Sequence, residues 1–239
     1  LVKTKNIGVI KMEVYRNKEP ENNFLQRVRK LADDNNIVLV FDECTSGFRK
    51  NYGGLHMIYD VEPDVAMFGK ALGNGYAVTA VLGKKEVMQA AEKSFISSTF
   101  WTERIGSSAG LATLKVMDKE KSWEKITKTG EYVNSEWIKL SKEFDLPITI
   151  SGLAALTTFS FKNENALAYK TFITQEMLKK GYLAATAVYV CTAHTKDIID
   201  GYIENIRPIF QTIKECEDGR DIMDLLEGPI AHNGFKRLN

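Results

Sequence analysis

No apolar run in these 239 residues reaches the ~20 consecutive positions that a membrane-spanning helix needs. Cysteine is scarce as well: Cys44, Cys191 and Cys216 are odd in number and far apart. No Cys-x-x-Cys pair and no Cys/His cluster occurs, so a zinc site of the usual spacing is excluded and no metal is expected. So few thiols fit a reducing cytoplasm better than a disulfide-bonded secreted setting. A surplus of one charge is also missing. The 32 Lys and Arg nearly balance 31 Asp and Glu, and no basic stretch points to nucleic acid. There is no P-loop and no Gly-x-Gly-x-x-Gly after a strand, which argues against a nucleotide-binding α/β domain. A signal-peptide pattern is absent. The chain opens on Leu1 and passes directly into a strand-like run, so a longer natural polypeptide is expected.

What is present is an ordinary globular composition, 44% hydrophobic and 26% charged, in a chain long enough to bury a substantial core. Ile7 to Met12 reads as a short strand. Asn22 or Asn23 is positioned to cap a helix through about Asn35, with Phe24, Leu25, Val28, Leu31 and Ala32 on one face. Ile37 to Phe41 is a continuous aliphatic run, the pattern of a strand buried on both faces. Strand, helix and strand at this spacing predict a βαβ unit with a parallel sheet. Further strands are expected at 65–68 and 78–82, and a helix at 85–93. A long helical stretch over 106–144 should break near 119–122. Beyond Pro147 the pattern changes to strands at 148–150, 155–161 and 187–191, with helices at 166–180 and 197–217. Gly181 is placed to stop the first of these helices, and Pro208 to kink the second.

Two charged groups close consecutive strands of the parallel part: Asp42 after the second and Lys70 after the third. Polar residues at the carboxyl ends of parallel strands are where α/β folds place their chemistry. A lysine after a strand is by itself most often a solvated surface residue, and a carboxylate there is most often a cap or turn residue. The surroundings of these two are more particular. Lys70 lies in Gly69-Lys70-Ala71-Leu72-Gly73-Asn74-Gly75, where glycines permit tight turns and close approach of a flat ligand. Asp42 follows an apolar strand directly, and a carboxylate buried there requires a cation or hydrogen bonds. A protonated pyridine nitrogen would supply the cation, and a nearby lysine would bind an aldehyde. Pyridoxal 5′-phosphate requires that pair.

The linked motifs resemble those of class III, fold type I pyridoxal-phosphate-dependent aminotransferases, and the glutamate-1-semialdehyde aminomutase branch in particular. They are Asp-Glu-Cys-Thr-Ser-Gly-Phe-Arg at 42–49, Tyr-Gly-Gly at 52–54, Pro-Asp at 63–64 and Gly-Lys-Ala-Leu-Gly-Asn-Gly at 69–75. The resemblance extends to Glu13 and Asn17, with Val14 where the family usually has Pro, and to Ser98-Thr99-Phe100. It continues in Ala193-His194-Thr195-Lys196-Asp197. Trp-Thr-Glu-Arg at 101–104 departs from the commoner Ser-Gly-Asn-Pro.

This resemblance implies an α/β fold in two parts. Residues 1–118 would be the C-terminal half of the cofactor-binding large domain, a mostly parallel sheet with helices. Residues 119–239 would be a linking helix and a small α+β C-terminal domain. It implies that Lys70 and Asp42 are catalytic, Lys70 through an aldimine, and that Cys44, Glu13 and Thr99 join them around the cofactor. Cys44 would pack as a small hydrophobe against the ring, and Thr99 would reach the cofactor phosphate of a neighbouring subunit in a homodimer. The expected partners are a small-molecule amino donor and a keto or aldehyde acceptor, with the amine moved between substrates or within one. The family's phosphate-cradling loop and ring-stacking aromatic have no counterpart in this chain. A non-catalytic or scaffold relative, or an inactive fragment, is therefore the alternative reading. Arg49 suits a carboxylate clamp or a structural ion pair. His194 is expected to be structural, and His56 has no evident partner.

Overall fold

The computed structural model describes residues 6–232 and residue 234. The chain divides into two compact units, Leu1–Lys125 and Ile126–Asn239.

The first unit is built on a four-stranded sheet in the order β1 (Val9–Met12), β2 (Val38–Asp42), β3 (Val65–Phe68) and β4 (Ala80–Gly83). β1, β2 and β3 run parallel, with Met12 beside Phe41 and Asp42 beside Met67. A parallel crossover needs a long connection, and helix α1 (Phe24–Asp34) supplies it between β1 and β2. β4 returns antiparallel to β3, pairing Val65 with Gly83. Its first residue is later than the expected position 78, because the Val78 amide is taken up in a tight turn by Tyr76 O at 2.9 Å.

Asn22 and Asn23 do not cap α1. Both adopt left-handed backbone, with φ of 54° and 53°, and no side-chain cap bond forms. Asparagine tolerates that region better than most residues. Leu25 and Ala32 bury the inner face of α1, while Phe24 and Leu31 stay exposed. Asp64 ties the layers together. Its Oδ2 accepts from the Leu39 amide of β2 at 2.8 Å and from Arg29 of α1 at 2.9 Å, and its Oδ1 accepts from Lys84 at 2.7 Å. Helix α2 is short (Lys85–Met88) and passes into a 3₁₀ turn over Gln89–Lys93. Helix α3 (Arg104–Glu120) packs Leu114 and Met117 against Phe48, Ala66, Phe68 and Leu72. It ends at Lys121, whose φ of 52° breaks the path before α4 (Ser122–Glu143).

The second unit holds an antiparallel sheet in the order β5 (Ile148–Ser151), β6 (Leu156–Phe161) and β7 (Ala187–Tyr189). Helices α5 (Ala166–Lys179) and α6 (Lys196–Glu217) share a core with it. Gly181, at φ 83°, follows α5. α6 continues through Pro208 and buries Ile199, Tyr202, Ile206, Phe210 and Ile213. Trp137 of α4 stacks edge-on to Phe159, with ring centres 4.7 Å apart, a geometry that adds to plain area burial. Its indole Nε1 donates to the hydroxyl of the buried Tyr202 at 3.0 Å, satisfying a donor that would otherwise be stranded. A Cβ on Gly130 would overlap the backbone carbonyl of Ala154, so α4 requires glycine there. Among the described residues, no helix is long and apolar enough to cross a membrane.

Candidate active site

Asp42 ends β2 and Lys70 follows β3, and because these strands run parallel both residues stand at the same end of the first sheet. Strand side chains alternate between faces, so Lys11, opposite Val40 in the parallel register, shares its face with Asp42. The Lys11 Nζ donates to Asp42 Oδ2 at 2.8 Å, and the Cys44 amide donates to Asp42 Oδ1 at 3.1 Å. The hydrogen bond from Lys11 holds the Asp42 carboxyl below its usual range. Partial burial opposes this, and the Cys44 amide adds to it. Asp42 is therefore anionic at neutral pH. The Cys44 thiol is pushed up by burial first and then by its hydrogen bond to Asp42, while the charge of Lys70 acts the other way. One thiol thus feels both the aspartate and the lysine.

Lys70 sits on a backbone with φ of 45°, a region that a non-glycine residue occupies at a cost. Such strain persists only where surrounding bonds over-determine it. Here the Lys70 carbonyl accepts from Gly73 and Asn74 amides at 3.1 and 3.0 Å, closing a 3₁₀ turn over Lys70–Leu72. The turn aims the exposed Nζ at Thr45, whose Oγ1 lies 2.5 Å away. Thr45 follows Cys44 directly, so the loop after β2 meets the loop after β3.

Glu13 lies just past β1 and pairs with Arg16 at 2.7 Å. Its charge reaches Lys11 but is weaker there than that of Asp42. Thr99 lies exposed in a turn, and among the described residues no hydrogen bond joins it to Lys70, Asp42 or Cys44. His194 Nδ1 accepts from the Cys191 amide at 3.3 Å, a turn-closing contact. Among the described residues, no group of His, Cys, Asp or Glu is arranged to hold a metal ion.

Residues 17–206 match the Aminotransferase class-III family. The chain belongs to that family. It is similar to 3-aminobutyryl-CoA aminotransferase of Cloacimonas acidaminovorans (strain Evry), at 31% identity over 82% of this chain and 49% of that one. It is also similar to glutamate-1-semialdehyde 2,1-aminomutase of Nitrosopumilus maritimus (strain SCM1), at 30% identity over 82% of this chain and 50% of that one. Among solved structures, the PLP internal aldimine form of the Sphingopyxis sp. MTA144 FumI protein superposes with a TM-score of 0.81. It is 21% identical and covers 92% of this chain and 56% of its own. The ornithine δ-aminotransferase of Plasmodium falciparum gives a TM-score of 0.77 at 22% identity, over 90% of this chain and 59% of its own. The chain spans about half the length of the curated relatives it matches.

Beside Asp42, Cys44 and Lys70 stands a pair that the sequence did not disclose. Glu43 is fully buried, on the strand face opposite Asp42. Its Oε1 accepts from the His56 backbone amide at 2.9 Å and contacts His56 Nδ1 at 2.8 Å, and its Oε2 accepts from the Ser46 hydroxyl. Burial pushes the Glu43 carboxyl up, but bonds from His56, Ser46 and the Leu55 amide outweigh it and hold the carboxyl low. This anchor fixes both ends of the loop from Cys44 to His56, and with it Thr45. The available signal was the alternation itself: with Asp42 on one face, Glu43 is sent to the other, inward one, where only a polar partner is tolerable.

Proposed function

We propose that this chain supplies the lysine and aspartate of a pyridoxal-phosphate-dependent amino-group transfer. The donor is a small-molecule amine, and the acceptor is a keto or aldehyde group on a second molecule or on the same one. The observation that carries the reading is the grouping at the ends of β2 and β3. The anionic Asp42 and the amine of Lys70 both act on the Cys44 thiol, and Lys70 is held in a strained turn that points it at Thr45.

That donor set fits the ring end of pyridoxal phosphate. Asp42, low in pKa and only partly buried, offers an anionic oxygen to a protonated ring nitrogen. Lys70 is the amine that holds the cofactor, and Cys44 offers a small, soft surface for the ring. When bound, the cofactor supplies an electron sink for charge developing at the substrate's α-carbon. Lys70 Nζ, in its neutral form, takes and returns the proton at that carbon. Thr45 Oγ1 orients Nζ while it is free. Glu13 borders the cofactor pocket. Thr99 serves the phosphate of a partner subunit in a homodimer. The exposed Phe95, Ile96, Phe100 and Trp101 around it support such an interface. The setting is cytoplasmic, in keeping with three free cysteines.

The test is an absorbance titration of the full chain with pyridoxal 5′-phosphate, followed by borohydride reduction and peptide mapping. The expected result is a pyridoxyl group on Lys70, absent from Lys70→Ala. A full-length protein that takes up no pyridoxyl group at Lys70 would overturn the reading in favour of a scaffold relative, which Lys70→Ala would leave unharmed.

A further inference from the structure

We propose that Lys11 competes with the cofactor's ring nitrogen for Asp42 and so holds down the chain's affinity for pyridoxal 5′-phosphate. The inference rests on the functional reading above. Asp42 has two oxygens, and each already has a donor. Oδ1 is taken by the Cys44 amide at 3.1 Å and Oδ2 by Lys11 Nζ at 2.8 Å. The first donor is backbone and cannot leave without unmaking the turn after β2. The second is the tip of a flexible four-carbon stem with 55% of its side chain exposed, against 22% for Asp42.

A protonated ring nitrogen aimed at the same carboxylate meets a positive charge already in place. Two cations on one oxygen repel, so Lys11 must swing out. Its exposure leaves that route open. The strand makes the placement unusual. Val9-Ile10-Lys11-Met12 is otherwise wholly apolar, and the parallel register sets this single charge diagonal to Asp42 on the same face. The titratable groups that act on Lys11 are Asp42 first, then Cys44 and Glu13.

The experiment measures dissociation constants for pyridoxal 5′-phosphate in four forms of the full chain: unaltered, Lys11→Met, Asp42→Asn and the double variant. Borohydride mapping of Lys70 and a thermal melt accompany each. An exposed ion pair is weak, so Lys11→Met is expected to bind about two- to five-fold tighter. The gap should narrow as salt rises, because screening weakens the competitor. In the Asp42→Asn background the Lys11 change should have no effect, since the shared partner is gone. Lys11→Arg, which keeps the charge, should keep the original affinity. Equal or weaker binding by Lys11→Met would overturn the proposal, and weaker binding would mean that Lys11 attracts the phosphate instead. An equal gain with and without Asp42 would overturn it too. If the Lys70 adduct forms and only the affinities fail to differ, the Lys11 inference alone falls. If no variant forms the adduct, the functional reading falls with it.

Discussion

Nδ1 of His56 lies 2.8 Å from Oε1 of Glu43, a carboxylate with no solvent exposure, thirteen positions earlier in the chain. The contact closes a loop that carries Cys44 and Thr45 on its way, so a buried pair sets where the candidate active-site groups sit. His56→Ala should destabilise the first unit by about 2–3 kcal/mol, the range for leaving a buried charged acceptor short of partners. Denaturant midpoints would measure it. An unchanged midpoint would mean that the loop holds without the pair.

The same carboxylate makes a prediction for acid. The folded-state pKa of Glu43 lies below its ordinary value of 4.5. Its stabilising contribution is therefore complete above that value and fades as pH falls below it. Glu43→Gln should be less stable than the natural chain at neutral pH. The difference should shrink as pH falls below about 4.5, as linkage requires. Paired melts between pH 3 and 7 would show it, and a constant difference across that range would contradict it.

Gly130 leaves no space for a side chain, because the Ala154 carbonyl occupies it. Gly130→Ala should cost about 1–3 kcal/mol or more, in line with overpacking at a site where the obstacle is backbone. Gly219, with nothing near its missing Cβ but a φ of 118°, is a useful contrast, since there strain rather than overlap would decide. Urea unfolding with Trp101 and Trp123 replaced by Phe, which leaves Trp137 as the reporter in the second unit, would measure it.

Asp42→Asn should keep the pyridoxyl adduct on Lys70 while amino transfer falls by roughly 10²–10³-fold, the usual loss when one preorganised electrostatic partner is removed. The measurement pairs borohydride mapping with single-turnover rates on the full chain. Retained activity would remove Asp42 from the chemistry.

Tyr202→Phe should cost about 1–2 kcal/mol, because the Trp137 indole loses its acceptor in a dry core. Trp137→Phe in the same background should then cost less than it does alone. A double-mutant cycle on thermal stability would show the coupling.

The elements most legible in the sequence were those whose pattern and location coincide. The aliphatic run before Asp42 is a strand as expected, though only Leu39 and Phe41 are fully buried while Val38 and Val40 are half-buried. The break in the long helix was expected near 119–122, and it falls at Lys121, where the backbone turns left-handed. Less legible were features that depend on register between strands. Lys11 and Asp42 are 31 positions apart, and the βαβ pattern that predicts β1 beside β2 does not give the register that sets Lys11 diagonal to the carboxylate. The Glu43 and His56 pair was hidden for a related reason, since a loop of unknown path separates them. Asn22 and Asn23 misled because their residue type serves two geometries, a helix cap and a left-handed turn, and the chain uses the second.

The outer strands of the first sheet have a practical side. Among the described residues, β1 and β4 each have one neighbour. They display Val9, Val81 and Leu82 to solvent. An open strand margin with greasy side chains is a template for another strand. A preparation of this stretch alone should be concentration-sensitive, clouding or forming soluble oligomers as it is concentrated. A charged residue at position 82 or a proline on the outer margin should act as a gatekeeper and keep it clear.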